Sequence, residues 1–291
     1  MSAFRVVRNY IEVLKPGATV LLAFIGLVSA FVAGDGSLPL ATSLLVAATA
    51  LSASAGANGL TNYLDRDIDA RMQRARRRSL PSGRITPPEK VLPLTIGLVL
   101  AGLVLAWQLQ PVFRLAFAAD VVGTTAALVW RKRATCVFPQ GMLAACAPVL
   151  IGWFAISTAF SWELVLLCGL IGLWLPLHVW SVMITHRDDY IDAGLTYFPM
   201  SRDAREGVRV LFVFSLVLAV MSVALYFVGA FAFLYLVASV VLAGFMVYGA
   251  FRLLISSPSA RGETAWRLYK LSSYPYLGLI FLAMAVDVWL M

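Results

Sequence analysis

Long apolar runs broken by short polar clusters set the pattern of this chain. Nine runs approach or exceed the length of about 20 residues that a bilayer-crossing helix requires. They lie near 18–34, 40–61, 91–110, 112–130, 136–158, 162–184, 208–229, 231–255 and 271–291. The pattern predicts an all-α polytopic membrane protein with nine transmembrane helices, a single domain over residues 1–291. Pro16 is well placed to open the first span. Almost no loop separates the third span from the fourth, which makes them antiparallel neighbours. Pro139 and Pro148 predict a kinked or broken fifth span, whose freed backbone groups must face protein or a cavity.

The polar clusters are not scattered. The second span runs into Asn58–Gly83, where apolar helix meets the densest charge cluster in the chain. If the helix continues through the acidic run, Asn58, Asn62, Asp65 and Asp69 stand at i, i+4, i+7 and i+11, on one face. Arginines follow at 71, 74, 76, 77 and 78. The sixth span ends in Trp174-Leu175-Pro176-Leu177-His178-Val179-Trp180 and leads into His186, Asp188, Asp189, Tyr190 and Asp192. The second and sixth spans thus form a coarse repeat that brings two carboxylate clusters to one side of the membrane. A histidine in a span is often only a satisfied core residue. His178, a few turns above carboxylates and beside two tryptophans, is a better pocket candidate.

Other polar positions have plainer readings. Lys15 suits an interfacial anchor, and Arg131, Lys132 and Arg133 suit a charge stop after the fourth span. Asp120 sits mid-span, where a carboxylate is costly and should face the bundle interior, most simply as a structural hydrogen-bond partner. In the last three spans Arg252, Glu263, Arg267 and Lys270 border a loop and Asp287 lies near the outer end, which reads as packing and topology.

Composition sharpens the membrane assignment: 61% of the 291 residues are hydrophobic and only 13% charged, about half the usual charged share. A net charge of +8 could suggest nucleic acid, but its placement argues against that partner. With these spans every Lys and Arg except Arg114 falls on one side, so the positive-inside rule puts the N-terminus in the cytoplasm. Cys136, Cys146 and Cys168 lie within spans without CxxC spacing and read as core residues. No cleavable leader is evident, and a bacterial or archaeal inner membrane is the simplest address.

Two acidic clusters and an arginine cluster at one membrane boundary suit a polyphosphate. Mg²⁺ takes a few carboxylates plus phosphate oxygens and Arg grips phosphate bidentately, so the two clusters could bind two or three Mg²⁺ ions around a diphosphate. A diphosphate leaves readily only if cations neutralise it as its bond breaks. An apolar bundle alongside would shelter a hydrocarbon tail and a carbocation from water.

The motifs resemble the UbiA superfamily of intramembrane prenyltransferases, most closely its protoheme IX farnesyltransferase branch. The resemblance rests on Leu14-Lys15-Pro16 with Thr19, Asn58–Gly83 with Asp65-Arg66-Asp67-Ile68-Asp69, Lys132-Arg133, and Pro148 with Ile151-Gly152-Trp153. Its most specific part is Trp174-x-Pro176-x-His178-x-Trp180 followed by Asp188-Asp189-Tyr190. It implies a nine-helix bundle with a pocket open to the cytoplasmic leaflet, farnesyl diphosphate held by Mg²⁺, and haem B as acceptor. Residue by residue, it implies metal binding by Asp65, Asp69, Asp188 and Asp189, with Asn58 and Asn62 completing the first site. Arg74, Arg78, Lys132 and Arg133 would hold diphosphate, His178 would lie by the acceptor porphyrin as an orienting group or an iron contact, and Trp174, Trp180 and Tyr190 would line the substrates. Haem-handling or terminal oxidase assembly proteins are the partners it implies besides lipid. Thr61, Ser79, Val137, Leu175 and Leu177 depart from the family pattern, which leaves a quinone precursor or another tetrapyrrole as an alternative acceptor. A transporter with a polar vestibule is the reading from a different class, disfavoured because the acids lie at one face and not at the midplane.

Overall fold

The computed structural model describes residues 3–109, 140–229 and 231–291. Among them the regular elements are all helices. An amphipathic α1 (Ala3–Val13) precedes α2 (Pro16–Ala33) and α3 (Leu40–Arg71), and a 3-10 turn (Pro88–Val91) runs into α4 (Leu92–Ala106). There follow α5 (Gln140–Ile156), α6 (Trp162–Thr185), the short α7 (Arg187–Asp192), α8 (Ala204–Val228), α9 (Phe233–Leu254), α10 (Arg261–Ser272) and α11 (Tyr274–Leu290). Among the described residues seven segments are long and apolar enough to cross a membrane, with α10 and α11 counted as one, and α5 adds a shorter apolar stretch at Ala145–Ile156. The span expected near 112–130 lies outside the described residues, with Asp120, Arg131, Lys132, Arg133, Cys136 and Pro139.

Local chemistry explains the helix ends. Pro16 opens α2, and Lys15 turns the chain there with φ of 50°, in the left-handed region. Ser161 caps α6 by accepting from the Leu164 N–H, and Asp203 caps α8 by accepting from Arg205. Helix α3 is the exception in length. Its 32 residues run about 48 Å at 1.5 Å per residue, against a hydrocarbon layer of about 30 Å. The helix therefore carries its last turns, with Asp65 and Asp69, past the apolar layer, as the one-face spacing required.

Helix α2 packs on α3, α5 and α11, and α6 packs on α5, α8 and α10. The crossings use small residues, as helix contacts in lipid do. A Cβ at Gly152 of α5 would collide with the backbone of Gly26 and Ala30 in α2, and one at Gly56 with the Thr95 carbonyl in α4. Val220, Phe227, Val240 and Phe245 are exposed on the outside of α8 and α9, where lipid would lie.

The C-terminal region differs from expectation. The loop expected around Glu263–Lys270 is helix α10, which meets α11 at Ser273. Its amphipathic period explains why: Ala265, Leu268 and Ser272 are buried, while Glu263 and Arg267 form an exposed i, i+4 ion pair. Charge density suggested a loop, but the 3.6-residue period governs. Asp287 keeps its structural reading, accepting from the Ala232 and Tyr235 amides at the start of α9.

Candidate active site

The two acidic clusters meet through Asp189. Its carboxylate accepts from the Gln73 N–H at 2.6 Å and the Arg74 N–H at 3.2 Å, so the segment after α6 holds the start of the basic loop after α3. Next to it the Arg74 Nη2 donates to the Tyr190 hydroxyl at 3.0 Å. Four residues on, the Arg78 Nη1 donates to Asp69 at 3.0 Å. Arg71, Arg76 and Arg77 are exposed, whereas Arg74 and Arg78 turn inward. Asp65 and Asp69 are 4% and 2% exposed, deep enough that their charges need a cation. Asp188 stands exposed at the surface.

The N-terminal elbow closes this corner. Asn62 donates an amide N–H to the Val13 carbonyl at 2.6 Å, and Asn58 donates to the Thr19 hydroxyl at 3.2 Å, which donates in turn to Leu14. Glu12 of α1 accepts from the Ser79 N–H and hydroxyl and from Arg84, so α1 pins the far end of the basic loop.

Two cavities meet at Lys15. A polar one of about 130 Å³ is lined by Glu12, Lys15, Asn62, Asp69, Arg78 and Ser79, among others. A largely apolar one of about 420 Å³ runs inward from Lys15, Asn58 and Thr61 past Leu22 and Ile151 to Trp174 and His178. Its size falls in the range of small-molecule pockets, roughly 300–1,000 Å³. A third hollow of about 470 Å³ between α8 and α9 is an apolar outer groove with no chemistry to offer.

The inner wall is built across the α10–α11 break. The Trp174 indole N–H donates to the Ser272 carbonyl, one of the end groups that a terminating helix leaves without an internal partner. The Trp174 and His178 rings stack at 4.9 Å, and Tyr269 lies 4.7 Å from His178. Trp266 stacks on Tyr269, and His186 meets Trp266 edge-on, so the aromatic chain continues to the polar surface. Trp180 stands apart from the cavity, packed in the core against Phe198 at 4.9 Å and Phe214 at 5.8 Å. Tyr269, Ser273 and Tyr274 line the cavity, although the last spans had suggested only packing and topology. The buried period in α10 was the available signal. Lys15 lines both cavities, a placement that its reading as an interfacial anchor did not anticipate.

Electrostatics favour an anion in the polar corner. Burial, and then the neighbouring Arg74, lower the Arg78 pKa from its ordinary value, while Tyr190, Glu12 and Asp65 act the other way. A guanidinium so placed gains from added negative charge. His186 is likewise lowered, by burial first and Arg74 second, against Asp189.

Among the described residues no three Asp, Glu, His or Cys side chains converge on one point. It fits Mg²⁺, which is held by one or two carboxylates together with substrate phosphates. Asp65 and Asp69, with the amide oxygens of Asn58 and Asn62, are the hard oxygen donors that could hold it. Both Asp189 oxygens accept backbone N–H groups, which ties the second acidic cluster to the basic loop.

The family model described as the UbiA prenyltransferase family matches residues 20–274. A protein named protoheme IX farnesyltransferase from Desulforudis audaxviator is 37% identical, over 97% of this chain and 89% of its own length. One of the same name from Symbiobacterium thermophilum is 36% identical, over 99% of this chain and 96% of its own. Among solved structures, a digeranylgeranylglyceryl phosphate synthase shares the fold with a TM-score of 0.75 at 16% identity, covering 98% of this chain and 99% of that one. A UbiA homolog from Archaeoglobus fulgidus bound to DMAPP and Mg²⁺ gives 0.68 at 14% identity, covering 96% and 99%.

Proposed function

The chain belongs to the UbiA prenyltransferase family, and on that premise we propose that it farnesylates haem B to haem O in an integral, multi-pass membrane site. Its identity over nearly full length to proteins named protoheme IX farnesyltransferase is the observation that carries this reading. The two cavities agree with it, since a polar corner and an apolar chamber that share Lys15 suit a diphosphate with a long hydrocarbon tail.

In this reading the polar cavity takes the diphosphate and the larger one takes the farnesyl chain and the porphyrin edge. Arg74 and Arg78 grip diphosphate oxygens, as do Lys132 and Arg133. Asp65 and Asp69 hold Mg²⁺ with Asn58 and Asn62, and Asp188 completes the second cluster while Asp189 fixes the loop that presents Arg74. Mg²⁺ supplies charge neutralisation of the departing diphosphate. Lys15, at the junction of the two cavities, is placed where the allylic C–O bond would break. The electron pair of that bond leaves with the diphosphate, and the vinyl π electrons of haem form the new C–C bond. The cation left on the inner vinyl carbon takes water, which loses a proton to give the hydroxyl. Apolar walls keep water from the allylic cation until the vinyl group has reacted.

We infer further that the whole chain acts as one domain of nine membrane helices. The N-terminus and both acidic clusters face the cytoplasmic side of the cell membrane, consistent with the one-sided Lys and Arg. Membranes containing the protein, given haem B, farnesyl diphosphate and Mg²⁺, are expected to yield haem O by mass spectrometry. Prenylation of a quinone precursor in place of haem would overturn the acceptor and keep the family chemistry.

A further inference from the structure

We propose that α1 lies in the anionic lipid surface beside the polar corner, and that its seating there holds the basic loop in its diphosphate-binding shape. The link to catalysis rests on the farnesyltransferase reading, whereas the lipid contact itself does not.

Helical period sorts the side chains of α1 onto three sides. On the first, Val13 packs with Leu80, Ile85 and Val91, and Tyr10 lies against the same cluster, so this side is docked on the loop after α3. The second side is polar and paired: Arg84 donates to Asn9 at 3.1 Å and to Glu12 at 2.9 Å, and the Ser79 hydroxyl donates to Glu12 at 2.6 Å. The third carries Phe4, Val7 and Ile11 at i, i+3 and i+7, which are 76%, 56% and 46% exposed. Arg5 and Arg8 border that stripe and are exposed as well. An apolar stripe turned away from the core, with arginines along its edge, is the pattern of a helix that lies in a lipid interface.

Two counts put α1 at the level of that interface. Only Leu14 and Lys15 separate it from α2, a spanning segment that opens at Pro16, and the left-handed Lys15 turns the chain there. On α3, about 20 residues from Leu40 use up the hydrocarbon layer close to Leu60. Asn62, just beyond, holds the Val13 carbonyl at 2.6 Å. The end of α1 is thus tied to the rim of the bilayer from two directions, and a stripe so placed meets lipid. Anionic headgroups supply the counter-charge for Arg5 and Arg8.

The same helix lines the polar cavity through Glu12 and Val13, together with Arg78, Ser79 and Leu80. Seating the stripe fixes Glu12, Glu12 fixes Ser79 and Arg84, and the loop so held returns Arg78 to Asp69. Lipid charge therefore becomes a determinant of diphosphate affinity. The sign is distinctive, because an anionic surface by itself repels a diphosphate and would raise its KM.

The test places the full chain in nanodiscs of phosphatidylcholine alone, or of phosphatidylcholine with phosphatidylglycerol, and measures amide hydrogen exchange and the KM for farnesyl diphosphate. Anionic discs are expected to slow exchange in α1 and in residues 72–85 and to lower the KM by about 3-fold to 10-fold. Arg5→Gln combined with Arg8→Gln is expected to erase the difference between the discs. Phe4→Ser combined with Val7→Ser is expected to raise the KM in both discs, with kcat and the exchange of α6 and α8 unchanged. Glu12→Gln is expected to speed exchange in residues 72–85 while α1 stays slow. Identical exchange of α1 in the two discs overturns the proposal, as does slowing confined to discs that hold two chains, where a second copy would cover the stripe. A response of α1 to lipid charge with an unchanged KM overturns the coupling. If no prenylated product forms in either disc while α1 still follows lipid charge, the farnesyltransferase reading fails and the lipid contact stands. If product forms and α1 ignores lipid charge, the reverse holds.

Discussion

The polar corner and the inner wall are assembled on different principles. In the corner a single continuous helix, α3, presents Asn58, Asn62, Asp65 and Asp69, and the neighbouring loop returns Arg78 to Asp69 at 3.0 Å. At the inner wall nothing local suffices, because Trp174 and His178 of α6 find their partners at Ser272 and Ser273, almost a hundred residues away. The corner is built on charge. The wall runs on shape, ring stacking and a few neutral hydrogen bonds, whose individual worth is about 1 kcal/mol. Mutations in the two regions should therefore differ in size and in the substrate they affect.

The largest effect belongs to the corner. Asp69→Asn removes a nearly buried charge that pairs with Arg78 and is proposed to bind metal. Loss of such preorganised electrostatic stabilisation costs about 10²–10³ in turnover. Haem O formation is expected to fall by at least about that factor, with a raised Mg²⁺ requirement in the residual activity. A chelator should abolish activity in the wild type, and added Mg²⁺ should restore it. Normal turnover in Asp69→Asn would remove the metal site from α3.

Arg78→Lys comes next. Lysine keeps the charge but not the planar fork, so a loss of about 10-fold to 100-fold is expected, seen as a raised KM for farnesyl diphosphate with the KM for haem unchanged. An equal rise in both would show that corner and wall are not separable.

Asp189→Asn tests whether Asp189 positions or ligates. Asparagine has one acceptor oxygen, so it keeps one of the two backbone contacts to Gln73 and Arg74. As a positioning residue it should cost about 10-fold, through a slackened loop, with Mg²⁺ affinity nearly unchanged. A large drop in Mg²⁺ affinity, measured calorimetrically with a non-hydrolysable diphosphate analogue, would make it a ligand.

The same contrast explains how much was legible in the sequence. The carboxylate face of α3 follows from spacing alone, because helical period is a local property and the helix needed only to continue. The resemblance singled out Arg74 and Arg78, and these two turn inward while Arg71, Arg76 and Arg77 stay exposed. The Asp189 clamp was not, since a carboxylate before a tyrosine looks the same whether its oxygens meet a metal or two amides. Trp180 was grouped with the pocket because it follows His178 by two residues. On a helix a step of two turns the side chain well away from that face, and Trp180 packs instead on Phe198 and Phe214. The serines that fix His178 gave no signal of their own, because a helix break is recognised by the residues that satisfy it, and Trp174 lies on another span.

Trp174→Phe should have the smallest effect. The ring against His178 is kept, but the indole N–H that satisfies the Ser272 carbonyl is lost. A neutral hydrogen bond of about 1 kcal/mol corresponds to roughly a 5-fold change in binding. If the wall serves the acceptor alone, that factor appears in the KM for haem and leaves the KM for farnesyl diphosphate where it was. If the change appears for both substrates, the break between α10 and α11 is mechanically coupled to the Lys15 elbow that α11 reaches through Tyr274 beside Gly17. The two cavities would then have to be treated as one site with a shared wall.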